Sequence, residues 1–468
     1  MKQAPVLSAV VLPPCLVSAA LGSWGLFAAL APQSAVLLAI SVTSYKRPAP
    51  KFTRRIEAVV LFATLFLLAC LISTPPFLAL RMSPLNAFFE ATSGITSTGL
   101  SVARDATVWP VAAHLLRGWL QWCGGFALAF AGLTILHDHT SALRELGQST
   151  LEERDKMTSM RKHAQLLLAF YGALTGVAVA GCLFLLPTWW EGVSIALASV
   201  STGGFTPQAD SLASYSVAAQ VFVMGICVMS SVSFLFYIML WRAGFRKAIA
   251  SGHVVLYIGV VCAGTLLYAF VSALLFPDTD ATVIEGSLNF ISGLTTAGFS
   301  AAPVSSSPLL VVLLLVGMVI GGDIGSTSGG MKIGRIAVAI QMVRLSFHRL
   351  LLPTHGVLHL RDRGKRQTSD DITAAGAVLV LYIATVLICW SIFLAASQPA
   401  LPALFEVVSA VSTVGLSSGI TAPDLPPHLV SVLLVAMLLG RLEFIALIAI
   451  FLPKTWIRGR YLASKRRQ

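Results

Sequence analysis

Long apolar runs alternate with short polar stretches along the chain. They cover residues 7–44, 57–80, 108–136, 164–187, 214–241, 253–276, 307–343, 372–397 and 428–452. A membrane-crossing helix needs about 20 apolar residues, so this pattern predicts a series of spans. The first run is interrupted at Pro13-Pro14 and at Ala31-Pro32. That predicts two short spans, or one span and a re-entrant piece. The other eight runs fall into four pairs. Between the two members of each pair lies a shorter segment: 84–101, 189–206, 282–300 or 402–418. Ten helical residues rise only about 15 Å, half the thickness of a hydrocarbon core. Such a segment can enter a membrane and turn back, but it cannot cross.

The short segments repeat one motif. They end in Ser97-Thr98-Gly99-Leu100, Thr202-Gly203-Gly204-Phe205, Thr296-Ala297-Gly298-Phe299 and Thr413-Val414-Gly415-Leu416. The shared pattern is a hydroxyl residue, a variable residue, Gly, then a large apolar residue. Upstream, Phe89-Glu90 and Phe405-Glu406 stand at equal distances from their glycines, and Ser93 corresponds to Ser409. Repetition of this kind marks one structural unit used several times. Irregular backbone at membrane depth is tolerated only where protein buries it or water lines it. Glycine reaches backbone angles that other residues avoid. Four such turns about one axis form rings of carbonyl oxygens able to replace the hydration shell of an ion. The hydroxyl adds one oxygen per turn, and the bulky residue after Gly packs outward. A carbonyl contribution also accounts for the free choice of residue at 98, 203, 297 and 414. The ligand type suits a hard monovalent cation.

Composition agrees with a membrane chain. Only 11% of the 468 residues are charged and 56% are hydrophobic, with mean hydropathy +0.83. Soluble domains carry about 25% charged residues, so a soluble enzyme is excluded. The formal net charge is +12. Most basic residues lie in the connections between pairs and in the tail, as at Arg54, Lys156, Lys247, Arg363 and Arg460. The four short segments and their flanks hold only Arg81 and Arg104. Basic loops stay in the cytoplasm. This places the connections and the C-terminus there, and the short segments dip in from outside. The charge is not read as a nucleic-acid surface. Cys15, Cys70, Cys123, Cys182, Cys227, Cys262 and Cys389 form no CxxC pair and are expected to be buried, inert thiols. Met1–Ala20 lacks a clear small-residue cleavage site for a leader. His137-Asp138-His139 opens a loop without further ligands and is expected to be a solvated turn rather than a metal site.

The run 307–343 is too long for one crossing, and it is broken at Gly321-Gly322-Asp323-Ile324-Gly325-Ser326-Thr327-Ser328-Gly329-Gly330-Met331-Lys332. This glycine density will not hold a helix and predicts a loop lining a cavity. Placed midway along the pore, a flexible loop there is a candidate gate. It is no phosphate cradle, because GxxxxGK[ST] and its strand–helix context are absent. Arg441 sits inside the last apolar run, followed by Glu443. A charge at a helix centre costs roughly 2.5–3.5 kcal/mol, so it is expected to face the pore or to pair with Glu443 or Asp323. Lys332 carries the same two readings. The gating candidates are Gly321, Gly322, Gly325, Ser326, Thr327, Gly329, Gly330, Lys332 and Arg441. Arg117 and Gln121-Trp122-Cys123-Gly124-Gly125 are expected to brace the first turn.

These motifs resemble the Trk/Ktr/HKT superfamily of potassium-translocating membrane subunits, most closely its bacterial TrkH type. The resemblance rests on the four glycine turns, the QWxGG stretch Gln121–Gly125, the GSTxGGxK loop Gly325–Lys332 and the GRLE run Gly440–Glu443. It implies an all-α polytopic fold of four helix–pore-loop–helix repeats around one central pore. It also implies K⁺ binding at Ser97, Thr98, Gly99, Thr202, Gly203, Gly204, Thr296, Ala297, Gly298, Thr413, Val414 and Gly415. Glycine rather than serine at Gly99 implies preference for K⁺ over Na⁺. Pairing of two subunits, and a cytosolic nucleotide-binding regulatory ring of the TrkA or KtrA kind, are further implications. No cofactor is implied; K⁺ is the cargo. The chain departs from the family pattern in its short N-terminal region and in the acid at Asp323. The expected division is 1–50 for N-terminal membrane segments, 51–140, 141–245 and 246–350 for three repeats, and 351–468 for the fourth repeat with its basic tail. The expected activity is K⁺ uptake across a bacterial inner membrane through a gated pore. The other reading is a K⁺ symporter coupled to H⁺ or Na⁺. The common orientation of the repeats opposes it, since such folds use inverted ones.

Overall fold

The computed structural model describes residues 3–45, 55–133, 153–251, 253–276, 282–304, 307–350, 361–362, 365–366 and 369–451. The His137-Asp138-His139 stretch and the basic tail lie outside them. Among the described residues the regular structure is helical, apart from a two-residue ladder between Arg361–Asp362 and Lys365–Arg366. Among the described residues, five helices are long and apolar enough to cross a membrane, and a sixth span is counted if a helix pair bent by 77° is one.

Four times the chain runs through a leading helix, a short helix, a turn and a trailing helix. The leading helices are Arg55–Ile72, Glu153–Leu185, Val254–Leu275 and Ser369–Ala395. The short helices are Pro84–Ile95, Trp189–Val200, Val283–Thr295 and Ala400–Val411. Their starts are set by local chemistry. Ser83 and Thr188 accept N–H bonds from Asn86 and Glu191, and Thr282 forms a capping box with Glu285. Such caps satisfy donors that a helix start leaves open. The fourth short helix begins after Pro399 with no side-chain cap.

The trailing helices are Val111–Ala131, Val217–Ser231 with Phe234–Ala243, Pro308–Ile320 with Ile333–Leu350, and Pro427–Arg441 with Ile445–Phe451. Sequence reading finds only the third of these breaks. The fourth is a tight kink in which Glu443 and Phe444 both take left-handed backbone, at φ 52° and 56°. Each short helix packs on the trailing helix of its own repeat and on that of the repeat before it, and the first packs on the fourth. The four units therefore close into a circle.

Two glycines explain two equivalent close approaches in this circle. A Cβ at Gly124 would collide with the Ile95 carbonyl, and one at Gly440 with the Val411 carbonyl. Both positions put a trailing helix directly on the last turn of its short helix. The N-terminal region differs from expectation. The prolines do not break it: Pro13 and Pro14 lie inside helix Ala4–Ala20, and Pro32 lies inside Trp24–Tyr45. The reversal comes instead at Gly22, with φ +67°, and the two helices pack against each other. Pro13 and Pro14 cannot donate to the carbonyls of Ala9 and Val10, and Trp119 Nε1 donates to both instead, at 3.2 and 3.1 Å.

Candidate functional site

Each short helix ends in the same closure. The N–H groups of Thr98, Gly203, Ala297 and Val414 bond to the carbonyls of Ser93, Ala198, Ser292 and Ser409 at 2.8–2.9 Å. The hydroxyl residues Ser97, Thr202, Thr296 and Thr413 sit between, at φ 49–56°. This is the six-to-one closure that ends many helices with a left-handed residue. Glycine usually takes that place, because a side chain there is strained. Here the hydroxyl residue stands there four times.

The glycines that follow show how the turns meet. A Cβ on Gly99 would collide with the carbonyl oxygen of Gly203. One on Gly204 would lie 2.5 Å from that of Ala297. One on Gly298 would collide with the Val414 carbonyl, and one on Gly415 with that of Thr98. The contacts run from the first repeat to the second, third, fourth and back to the first. The variable residue of each motif thus supplies the carbonyl that rests on the neighbouring turn. Leu100, Phe205, Phe299 and Leu416 are all buried behind the ring.

The backing is not fourfold. Gln121 donates its side-chain amide to Gly203 O, accepts from Phe205 N–H at 3.2 Å, and accepts Ser97 Oγ–H on its backbone carbonyl at 2.9 Å. It ties the first two turns together. Arg117 lies 3.5 Å from Glu90 and over the Phe205 ring, 3.8 Å from its centroid. The Gly99 and Gly415 N–H groups each donate to a serine hydroxyl, Ser93 and Ser409, at 3.1 Å.

The loop 321–332 joins the two halves of the third trailing helix. It is bonded directly to the second, third and fourth turns, and to the first through Arg441. Thr327 Oγ1 donates to Val200 O and Ser230 O, and accepts from Thr202 Oγ1 at 3.3 Å. Gly329 N–H donates to Thr296 Oγ1 at 2.7 Å, and Gly330 N–H donates to Ser412 O at 2.9 Å. Arg441 donates to Thr327 O at 3.0 Å and to Ser97 Oγ at 3.1 Å. Three of the four motif hydroxyls are therefore engaged by the loop or by Arg441. Thr413 Oγ1 has no hydrogen-bond partner.

The loop is packed rather than slack. Gly321 and Gly330 cross at close range, Gly322 abuts Ser328 and Ser231, and Gly325 abuts Leu133 and Ser233. Ser326 bonds to Ser328 at 2.7 Å and to Asp323 O at 2.6 Å. Here the glycines provide room for close approach as well as freedom. Arg441 is 1% exposed, and it does not take the acids expected from its neighbourhood. Glu443 pairs with Arg335, and Asp323 lies 3.9 Å from His253 Nδ1. Lys332 Nζ donates to Ser328 O at 2.8 Å, so it braces the loop from within. Cys262 is exposed and Cys123 half-buried, unlike the other five thiols.

Sequence reading missed Ile195 and Asn289, which stand in register with Glu90 and Glu406 nine residues before their glycines, and Pro207, three residues after Gly204. The signal was present as a count of residues from each glycine, but the side-chain types differ.

Comparison with known proteins gives the family. Residues 45–253 and 270–457 match the TrkH family, described as a cation transport protein. The Trk system potassium uptake protein TrkH of Halomonas elongata is 28% identical over 398 residues, covering 81% of this chain and 80% of that one. The protein of the same name from Escherichia coli strain K12 is 26% identical over 395 residues, covering 79% of each. The crystal structure of the potassium transporter TrkH from Vibrio parahaemolyticus has the same fold, with TM-score 0.81 and 22% identity over 97% of this chain and 100% of that one. These relatives are transporters rather than enzymes. With a match over most of its length, four glycine turns closed into one ring and apolar helices around them, this chain is a multi-pass membrane protein belonging to the TrkH family of cation transport proteins.

Proposed function

We propose that the chain conducts K⁺ inward through the ring of four turns, and that the loop 321–332 with Arg441 gates it. The observation that carries this reading is the cyclic contact of Thr98, Gly203, Ala297 and Val414 carbonyls with the neighbouring glycines. Backbone oxygens gathered on one axis replace water around a dehydrated cation. The short helices end at the ring, and helix C-termini carry partial negative charge that favours cations. The potassium uptake function in the names of the relatives supports K⁺ as the ion. Ser97, Thr202, Thr296 and Thr413 supply hydroxyl oxygens at the loop side of the ring.

In this structure the loop holds the Thr202 and Thr296 hydroxyls, and the Arg441 guanidinium holds that of Ser97. A cation arriving there meets a positive charge and ligands already in use. This arrangement is the shut gate. Opening withdraws the loop and frees the hydroxyls together. Movement then follows the membrane potential, worth about 2.3 kcal/mol per charge per 100 mV. The same reading takes the protein as a homodimer in a bacterial inner membrane with a cytoplasmic C-terminus. Its basic connections would meet a cytosolic nucleotide-binding regulatory subunit of the TrkA or KtrA kind.

The test uses purified protein in proteoliposomes with K⁺ and Na⁺ gradients. A reversal potential set by K⁺ alone supports a channel. A reversal potential that moves with pH, or with Na⁺ beyond its own permeation, supports coupled transport instead. Gly99→Ser is expected to lower the K⁺:Na⁺ permeability ratio, and an unchanged ratio counts against the ring. Arg441→Ala is expected to raise K⁺ flux about tenfold, equivalent to a barrier lowered by about 1.4 kcal/mol.

A further inference from the structure

The residue nine positions before each ring glycine is Glu90, Ile195, Asn289 or Glu406, and the residue three positions after it is Val102, Pro207, Ala301 or Ser418. In three repeats these two positions are bonded. Val102 N–H donates to Glu90 Oε1 at 2.9 Å, Ala301 N–H to Asn289 Oδ1 at 2.7 Å, and Ser418 N–H to Glu406 Oε1 at 2.7 Å. All three acceptor side chains are buried. The second repeat lacks the acceptor, because Ile195 stands there. It also lacks the donor, because Pro207 has no N–H. A buried N–H without a partner is costly, so acceptor and donor are present together or absent together.

The clasp extends past one bond. Glu406 also accepts the hydroxyls of Ser417 at 2.6 Å, Ser418 at 3.0 Å and Thr421 at 2.6 Å. Glu90 accepts Ser101 Oγ–H at 2.5 Å. The Asn289 amide donates to Ala302 O at 2.8 Å. In the second repeat the same stretch of chain is held from outside its own register. There Arg117 Nη1 reaches Thr206 O at 3.5 Å, and Gln208 donates to Glu191 at 2.9 Å.

We infer that Glu90, Asn289 and Glu406 are positioning residues that set the spacing of the carbonyl ring, each by holding the backbone N–H three residues beyond its glycine. The inference rests on the pore reading above. The short helix is fixed by packing, so a bond from it to the chain beyond the glycine fixes the turn at both ends. The relevant property is acceptance of a hydrogen bond, not negative charge, because neutral Asn289 does what Glu90 and Glu406 do. Loss of a clasp lets one wall of the ring relax outward, and a wider ring discriminates less against Na⁺.

The experiment measures K⁺:Na⁺ permeability ratios of the full chain in proteoliposomes, together with amide hydrogen exchange of the peptide containing Ser418. Glu406→Leu is expected to lower the ratio about tenfold, the order of one buried hydrogen bond, and to speed exchange at Ser418. Glu406→Gln keeps an acceptor and is expected to stay close to the wild-type ratio. A fall in Glu406→Gln as deep as in Glu406→Leu would assign the effect to charge and overturn the inference. The second repeat gives an uncharged version that does not depend on the folding of those variants. Pro207→Ala, which creates an N–H beside Ile195, is expected to lower the ratio. Adding Ile195→Asn is expected to restore it. An unchanged ratio in Pro207→Ala, or no recovery in the double variant, overturns the inference while a K⁺-selective wild type leaves the pore reading standing. A wild type and an Arg441→Ala variant that both pass no K⁺ refute the pore reading itself.

Discussion

At the residue scale, the four motif hydroxyls share a left-handed backbone, yet they differ in what they hold. Thr296 accepts Gly329 N–H from the loop, whereas Thr413 Oγ1 has no hydrogen-bond partner. Valine matches threonine in shape and carries the same branching at Cβ, so substitution leaves the backbone strain as it was. Thr413→Val should change thermal stability by less than about 1 kcal/mol, since no internal hydrogen bond is lost. It should nonetheless reduce K⁺ flux, because it removes a pore oxygen. Thr296→Val should do the opposite in the resting state. It deprives Gly329 N–H of its acceptor, costs about 1 kcal/mol, and raises basal flux by loosening the loop. Melting curves and uptake assays on the pair separate the two effects. The motif itself was legible because hydroxyl, glycine and bulk recur at fixed spacing. The clasp was only half legible. Two of its acceptors are glutamates and stand out, but Asn289 performs the same task with a different side chain, and Pro207 participates by lacking a donor.

At the scale of elements, the sequence reveals a break only where many residues carry it. The loop 321–332 announces itself through its glycines. The interruptions at Val232-Ser233 and at Leu442–Phe444 span two or three ordinary residues, too few to disturb hydrophobic periodicity. The prolines of the N-terminal region misled in the other direction, because a membrane helix keeps its course where another group takes the freed carbonyls, as Trp119 does for Ala9 and Val10. The freedom conferred by glycine also told only part of the loop's story. A Cβ at Gly329 would collide with Ser412 O and Thr413 Oγ1, so the shut loop has no room for it. Gly329→Ala is therefore expected to displace the loop from the ring and raise basal K⁺ flux, with faster hydrogen exchange across 321–332. Wild-type flux and exchange in that variant would refute the loop as a barrier.

At the scale of the molecule, the circle depends on contacts between units far apart in sequence. The first short helix packs on the trailing helix of the fourth repeat, and Arg441 reaches back to Ser97. Local pattern gave the number of units and their common direction. It could not give the order of neighbours, which follows from helix packing and from the glycines at the ring. Orientation is an expectation from charge. The basic connections and tail are expected to stay in the cytoplasm, so a reporter enzyme fused after Gln468 should be active only if it is a type that works there. Activity of a periplasmic reporter there would reverse the orientation.

The ring closes within one polypeptide, and this sets the grain at which heredity can alter it. In an assembly of four identical chains, any coding change strikes every wall at once. Here a single codon touches one quadrant and leaves three as they were. Lopsided walls, such as the one lined by Ile195 and Pro207, can then accumulate step by step, each tried against an otherwise unaltered passage.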